Sequence, residues 1–392
     1  TYAAASGLGS FKALQLIYAS GFSNATNNGL KTVASSTAGT VVVNEALIDE
    51  AAPPAAAKLQ TVGFRFASGD ISMAVTSGIP SLVATAADFT TLPGLIPGLW
   101  VFIGGDAAGT AFVNNVGYAR IKSIAAKAIV FDDTTFTPAT EAGTGKTIHL
   151  FVGTVVKNEK TPSLIKRRSY NIERQLGSGP TSTQAEYLEG AVANEFTLNI
   201  PQADKLNADL TFIACDNTHK SGEAGDEIKS GTRVSAAGED AFNTSSDIYR
   251  IKMAVIDPTA SNPAALFGYV SEANVSINNN VSPNKAVGIL GAFDTTAGNF
   301  EVGGSITAYF TTVSAVRAVR QNADVGLSVI GASKNAGFVF DIPLLGLGGG
   351  RLAVEKDAPI TVPLEPAGAE NPNGYTMLYE AFSYLPNVAM PA

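Results

Sequence analysis

Two neighbouring segments in the second half of the chain alternate between apolar and polar residues, and this period of two constrains the fold more than any other feature. The segments are NEFTLNI (194–200) and LNADLTF (206–212), joined by a short stretch that begins with Pro201. Successive side chains of a β-strand point to opposite faces, so each segment presents one apolar and one polar face. The pattern predicts an antiparallel hairpin with one face in a core and the other in water.

The same alternation returns in EANVSIN (272–278) and EVGGSITAYF (301–310). The second half therefore offers about four two-faced strands, grouped as two hairpins. Their polar positions hold acidic and neutral side chains without Lys or Arg, and we name the candidate functional surface that they form the polar face. Its members are Glu195, Thr197, Asn199, Asn207, Asp209, Thr211, Glu272, Asn274, Ser276, Asn278, Ser305, Thr307 and Tyr309. An ordinary β-sandwich with these side chains in solvent explains the same alternation.

Length and composition predict a mainly β protein of two or three domains. The chain has 392 residues, Gly and Pro occur throughout, and helix-forming stretches are few. Its 26 basic and 34 acidic residues give a net charge of −8, which argues against static DNA binding because phosphate neutralisation needs a positive patch. No apolar run reaches the ~18 residues that cross a bilayer, so we expect no membrane insertion. The opening TYAAASGLGSF lacks the basic and apolar regions of a secretory signal.

No group of residues predicts catalysis, and we expect neither an enzyme nor a cofactor or metal. One cysteine, Cys215, and two histidines, His149 and His219, are too few for a zinc cage or a multi-histidine site. His149 lies in an apparent strand and His219 in a polar segment, so neither is placed like the base of a catalytic triad. AGTGKTI (142–148) imitates the end of a phosphate-binding loop, but a strand is predicted to follow it where that loop requires a helix.

The first part of the chain contains the same succession of segments twice. NNGLKTVASSTAGTVVVNEAL (27–47) matches NNVGYARIKSIAAKAIVFDDT (114–134) in the order Asn-Asn, strand, small-residue turn, strand and acidic turn. Each copy closes with an acidic residue followed by alanine, at Glu50 and at Glu141. We therefore predict a small β module in residues 1–66, a linker and a second small β module in 67–157, and a larger domain in 158–392.

The densest basic cluster lies in KRRSYNIERQ (166–175). We name it the basic arm, and its cations are Lys166, Arg167, Arg168 and Arg174. With Tyr170 as the one aromatic residue among them, these cations do not resemble a nucleic-acid patch. They suit a charged edge strand that pairs with the carboxylates of a neighbouring subunit, and a merely solvated face is the alternative.

Several segments follow one another in an order that is specific to one family. SYNIERQLG (169–177) precedes EYLEG (186–190) and the first alternating hairpin; VSEANVSINNNVSPNKAVG (270–288) leads to SITAYF (305–310), a short helical piece at 314–321 and DIPLL (341–345). Over roughly residues 160–392 the chain thereby resembles the tail tube proteins of long, flexible-tailed bacteriophages.

The resemblance implies a tail-tube-type β-sandwich or barrel subunit with a short helix, preceded by two small β modules on the outside. It also implies that copies of the chain stack as rings around a lumen, which the polar face lines and through which double-stranded DNA passes transiently. The implied partners are the tape measure, tail tip and tail terminator proteins. The implied location is the tail of the virion, which is assembled in the host cytoplasm.

Strand geometry bounds the size of such a ring. About 24 strands, spaced ~4.8 Å apart and tilted by ~40°, enclose a bore of about 38 Å once inward side chains are subtracted from a backbone diameter of roughly 48 Å. About 12 strands would leave only ~14 Å, which is narrower than duplex DNA at roughly 20 Å. Four strands per chain therefore predict sixfold rings, and threefold rings of chains with two fused tube domains are the alternative.

A secreted or surface adhesin or glycan-binding protein built from β modules is the alternative from another class. Such a protein needs an exposed aromatic platform for its ligand, and Trp100 and Tyr118 are the candidates in the first two modules. The lack of a secretory signal before them weighs against this alternative.

Overall fold

A computed structural model describes residues 1–105, 109–176, 184–221, 235, 238, 240–260 and 262–391. This part of the chain is mainly β with one α-helix, as predicted. The strands of the first part are β1 Tyr2–Ala3, β2 Gln15–Ser20, β3 Gly29–Ser36, β4 Thr40–Val43, β5 Lys58–Phe66, β6 Ile71–Thr76, β7 Ile79–Ala84, β8 Trp100–Gly105, β9 Gly117–Ala125, β10 Ala128–Thr134 and β11 Ile148–Phe151.

The remaining strands are β12 Thr154–Lys157, β13 Tyr170–Leu176, β14 Gln184–Ile200, β15 Asn207–Ile213, β16 Asp216–Ser221, β17 Ile248–Val255, β18 Val270–Asn278, β19 Ser282–Lys285, β20 Ala292–Thr296, β21 Glu301–Tyr309, β22 Val325–Ser333, β23 Ala336–Gly349, β24 Thr361–Gly368 and β25 Leu378–Phe382. The α-helix, α1, is Ser314–Gln321, and short 3-10 turns occupy Ala25–Asn27, Phe89–Thr91, Pro162–Leu164 and Asn387–Ala389.

Strands β1–β11 form one antiparallel sheet, which we name the N-terminal sheet. In its first half the strands pair in the order β4, β3, β2, β5, and in its second half in the order β10, β9, β8, β11. Corresponding strands of the two predicted repeats thus occupy corresponding places. The halves join where β5 pairs with β11, so the sheet runs without interruption from one repeat into the other.

Each half also contains the same set of loop hydrogen bonds, centred on an asparagine and a glutamate. Asn27 Nδ2 donates to Glu50 Oε2 at 3.0 Å, and Asn115 Nδ2 donates to Glu141 Oε2 at 2.9 Å. Each asparagine additionally exchanges hydrogen bonds with the backbone two residues before its glutamate, and each glutamate accepts two backbone N–H groups from a nearby loop. The structure thus makes Asn115, rather than Asn114, the counterpart of Asn27, a shift of one residue from the alignment of the sequence repeats.

The second part of the chain is a β-sandwich whose two layers share a core. One layer, the polar sheet, consists of β15, the second half of β14, β18 and β21, in that order. The other layer, the middle sheet, consists of β17, β22, β23, β25 and β12. Strand β24 pairs with both β21 and β23 and connects the layers at one side. Leu198, Val275 and Ile306 of the polar sheet pack in this core against middle-sheet residues such as Val329 and Phe340.

The middle sheet is covered on both faces, which explains why β22 and the first half of β23 are almost continuously apolar. Along β22, Val329 faces the polar sheet while Ile330 packs against the N-terminal sheet. Along β23, Phe340 and Val339 divide in the same way. The described part of the chain therefore has three layers, with the N-terminal sheet on the far side of the middle sheet from the polar sheet.

Charged residues are buried where the N-terminal sheet meets the middle sheet. Arg250 lies 3.3 Å and Lys252 3.0 Å from carboxylate oxygens of Asp133, while Arg120 Nη1 lies 3.2 Å from Asp341. The fully buried ring of Trp100 has the guanidinium carbons of Arg250 and Arg120 at 5.2 and 5.9 Å from its centroid, within the range of cation–π attraction. Because each pair has one member in each sheet, these contacts fix the two sheets in register.

The buried side chain of Glu380, on β25, also connects the middle sheet with the N-terminal sheet. Glu380 Oε1 accepts the backbone N–H of Gly153 at 2.7 Å, and Oε2 accepts that of Trp100 at 3.1 Å. Burial nevertheless raises the pKa of Glu380 to about 8, because removal from water outweighs the two hydrogen bonds. Burial likewise raises the pKa of Asp341, which faces Arg120, to about 6.

These raised pKa values predict that the protein loses stability as the pH rises. The folded state holds a proton on Glu380 up to about pH 8, whereas the unfolded chain releases it near pH 4.5, so the folded form binds more protons between these values. Between pH 6 and 8, above the range of Asp341, we expect the free energy of unfolding to fall by at most ~1.4 kcal/mol per pH unit. Urea unfolding at several pH values measures this slope. Glu380→Gln should flatten it, and an unchanged slope in that variant would refute the assignment.

Candidate functional site

The polar-face residues lie together on one surface of the polar sheet. Residues directly opposite one another across paired strands share a face, so the register decides which side chains are neighbours. From β15 through β14 to β18 the rows are Thr211 with Glu195 and Asn278, Asp209 with Thr197 and Ser276, and Asn207 with Asn199 and Asn274. Between β18 and β21, Ser305 lies opposite Asn274 and Thr307 opposite Glu272. Tyr309 follows Thr307 by two residues on the same strand and thus points to the same side.

Hydrogen bonds link the polar side chains across the strands. Asn199 Nδ2 donates to Asn207 Oδ1 at 2.9 Å and to Asp209 Oδ2 at 2.8 Å. Asn278 Nδ2 donates to Glu195 Oε1 at 3.1 Å, so an acceptor on β14 is held from β18. Similar bonds join Asn274 to Ser305 and Thr307 to Glu272. The surface is therefore an ordered lattice of short polar groups, with carboxylates held by amide and hydroxyl donors.

The register adds one carboxylate to this surface. Glu301, the first residue of β21, lies opposite Asn278 and is exposed. It lies at an even spacing from Ser305 and Thr307 on the same strand, and this spacing would have predicted that it belongs to the polar face. With Glu301, the paired positions of the four strands carry the carboxylates of Glu195, Asp209, Glu272 and Glu301 and no cationic side chain.

Among the described strands β15 pairs only with β14, and the apolar side chains in its first part are exposed. We expected Ala208 and Leu210 to pack inside the subunit like the apolar residues of β14. Both are instead exposed, Leu210 by 54 %, and neither belongs to the core that the two layers share. An edge strand with free backbone groups and an exposed apolar side chain is a surface that pairs with another chain. In the described structure the edge of β15 is thus available for pairing with another chain.

The basic arm lies along the outside of the chain. Lys166, Arg167 and Arg168 are exposed and have no ion-pair partner among the described residues. Arg174 on β13 is 3.6 Å from Glu186 of the same chain, across the β13–β14 pair. Three of the four cations are therefore available to a neighbour, and the fourth is engaged internally.

The aromatic platform of the adhesin alternative does not exist at the predicted residues. Trp100 is fully buried and Tyr118 is 1 % exposed, and both pack between the N-terminal and middle sheets. Tyr118 Oη additionally donates to the backbone oxygen of Ala389 at 3.0 Å. Their side chains serve the contact between sheets, so the two candidate residues do not supply the platform that the alternative requires.

The described residues also bear on metal sites and membrane spans. No group of three or more His, Cys, Asp or Glu side chains lies close enough in this part to hold a metal ion. Nor does any helix within it have the length and apolarity needed to cross a membrane.

A three-layer β subunit with an open edge strand and an ordered polar face has the features of a structural assembly protein. The family model described as phage tail tube protein matches residues 50–367, which is most of the chain. The chain belongs to this family, and it is a structural subunit of a phage tail. The match begins inside the first predicted module, so the family extends further towards the N-terminus than the resemblance over 160–392. No curated protein matches the chain.

Proposed function

We propose that six copies of this chain form a ring whose lumen is lined by the polar face, and that stacked rings conduct double-stranded DNA into the host. One observation carries the proposal: four adjacent strands present an ordered, cation-free polar surface on one side and pack into the core with the other. This is the arrangement that a water-filled barrel requires of its wall. The role is structural and involves no catalysis.

The strand count supports the sixfold ring. The described chain contains one sandwich with four strands in its polar sheet, so six copies supply about 24 strands and a bore of about 38 Å. Three copies would supply about 12 strands and a bore of only ~14 Å. The free edge at β15 is where the sheet of one copy continues into that of the next, which removes an edge that a monomer would expose.

The chemistry of the polar face suits rapid passage of DNA. Carboxylates such as Glu195 and Asp209 repel phosphate groups and keep the duplex away from the wall. Because the paired positions carry no Lys or Arg, the wall offers no counterion-releasing contacts that would hold the DNA in place. Asn, Ser and Thr side chains bind water over the rest of the polar face.

The other parts of the chain are assigned to assembly. The N-terminal sheet lies on the outside of the tube, since two layers separate it from the polar face. Lys166, Arg167 and Arg168 bridge to carboxylates of an adjacent subunit or ring. The tape measure, tail tip and tail terminator proteins are the proposed partners, in the tail of a long, flexible-tailed phage that is assembled in the host cytoplasm.

Electron microscopy of the purified chain, combined with light scattering, tests the proposal. We expect rings or stacked tubes with sixfold symmetry and a central bore of about 40 Å. Threefold rings would refute the number of six copies per ring but would still support a tube. A monomer that does not assemble even when tail tip and tape measure proteins are added would refute ring formation.

A further inference from the structure

The two ends of the polar sheet differ in what they expose. At one end, here the hairpin end, Glu195, Asn278 and Glu301 lie side by side, and the chain leaves β18 for the β19–β20 hairpin before it returns in β21. At the other end, here the helix end, β14 finishes at Ile200 and β21 finishes at Tyr309, which is followed by α1. The ends are separated by the length of the strands.

The hairpin end carries the most exposed apolar side chains of the described structure. The loop and the second strand of the β19–β20 hairpin expose Val287, Ile289, Leu290 and Phe293, with Val287 and Leu290 essentially fully in solvent at 106 % and 98 %. The hairpin is held beside its loop, where Ala292 pairs with Lys285 and its backbone N–H donates to the oxygen of Cys215 at 2.8 Å. A cluster of exposed apolar groups on a hairpin that is held in place marks a contact surface.

The helix end carries a second apolar patch made from three chain segments. It consists of Tyr269, Val313, Leu352, Val354 and Ile360, all exposed. Backbone hydrogen bonds bring the segments together: Tyr309 N–H donates to the oxygen of Tyr269 at 3.0 Å, and Phe310 N–H to that of Ile360 at 2.9 Å. A bridge between Ala353 and Thr361 holds the loop that bears Val354 against the same edge.

Charges at the two ends complement each other. Next to the helix-end patch, Arg317 and Arg320 lie on the exposed side of α1, and Arg351 follows Gly350, whose backbone adjoins Val319 of that helix. None of these three cations has an ion pair in the described part of the chain. At the hairpin end, Asp294 and Glu301 are exposed carboxylates without a cationic partner among the described residues.

We propose that the β19–β20 hairpin of one copy docks its Val287–Leu290 loop on the helix-end patch of a second copy in the next ring. The proposal rests on the proposed tube function and names the contact that stacks the rings. Because the two patches differ and lie at opposite ends of one sheet, the contact is head-to-tail and repeats without closing, which is the requirement for an open stack. Every copy in a ring contributes one such contact, so the stack is held multivalently.

Three variants test the contact by electron microscopy and sedimentation velocity. Val287→Asp/Leu290→Asp alters the hairpin, Val354→Asp alters the helix-end patch, and Val388→Asp changes an exposed valine at the junction of the N-terminal and middle sheets as a matched control. Because the altered side chains are in solvent, we expect unchanged circular dichroism and melting. The first two variants should form rings but reduce stack length at least tenfold, and the control should form tubes of normal length.

Mixing preformed rings distinguishes a head-to-tail contact from other arrangements. Rings of the hairpin variant keep an intact helix end, and rings of the Val354 variant keep an intact hairpin. Their mixture should therefore yield double rings that neither variant forms alone. Tubes of normal length from either variant, or rings that do not pair on mixing, would overturn the proposal while leaving ring formation intact. Absence of rings from the unaltered protein would overturn the tube function itself.

Discussion

Replacing Glu195 and Asp209 with lysine is expected to leave the tube intact and to convert its wall from one that DNA slides past into one that binds DNA. Both residues are exposed on the polar face, and their replacement removes only the hydrogen bonds from Asn278 and Asn199. Each copy then gains two cations in place of two carboxylates. Since every phosphate neutralised releases counterions, we expect duplex DNA to bind the variant tubes at least ~10-fold more tightly at low salt, with an affinity that falls steeply as salt is added.

Co-sedimentation of tubes with duplex DNA over a range of salt concentrations measures this effect, and ejection from phage carrying the variant should be correspondingly slower. The matched comparison uses single substitutions. Asp209→Lys places a cation on the polar face, whereas Asp49→Lys places one on an exposed segment between β4 and β5 of the N-terminal sheet. Binding that increases equally in both would indicate attraction to the outer surface. Normal ejection by the double variant would contradict the role of the carboxylates in the lumen.

Replacing Asp133 with alanine is expected to destabilise the protein by ~3–5 kcal/mol, because two buried cations depend on this one carboxylate. Arg250 and Lys252 reach Asp133 from the middle sheet, and the side chains of Lys252 and Asp133 are less than a tenth exposed. Without the carboxylate, Arg250 keeps only Ser328 and the backbone oxygen of Thr134, and neither neutralises its charge. Urea unfolding measures the loss.

Two controls separate burial from charge pairing in that experiment. Lys160 and Glu370 form an ion pair that is largely in solvent, so Glu370→Ala should cost only ~0–1 kcal/mol. Adding Lys252→Met to Asp133→Ala should restore part of the lost stability, because it removes one stranded charge. Equal effects of Asp133→Ala and Glu370→Ala would contradict the structural role of the buried cluster.

The polar face could be predicted from the sequence because strand alternation is a local property. The spacing of Glu195, Thr197 and Asn199 places them on one face of any strand, and the register then adds Glu301. The exposure of Leu210 could not be predicted in this way, because it depends on which strands the sandwich core covers. Local pattern therefore indicates what a strand offers on each face, and tertiary packing decides which face is used.

The contact between the sheets was also outside the reach of local patterns. Arg120 and Asp341 are separated by 221 positions in the chain, and neither lies in a motif that predicts the other. Trp100 was a candidate ligand platform only under the adhesin alternative, and no local pattern predicted that it is buried. Its burial between two arginines follows from the docking of the N-terminal sheet.

Because the middle sheet is apolar on both faces, the N-terminal sheet cannot be lost in evolution without further changes in the middle sheet. Deletion of the N-terminal sheet would expose Ile330, Val339 and Phe382 to water. It would also leave Arg250 and Lys252 without Asp133. Such a deletion succeeds only together with several substitutions that make this face polar again. The N-terminal sheet should therefore be retained wherever the apolar pattern of β22 and β23 is retained.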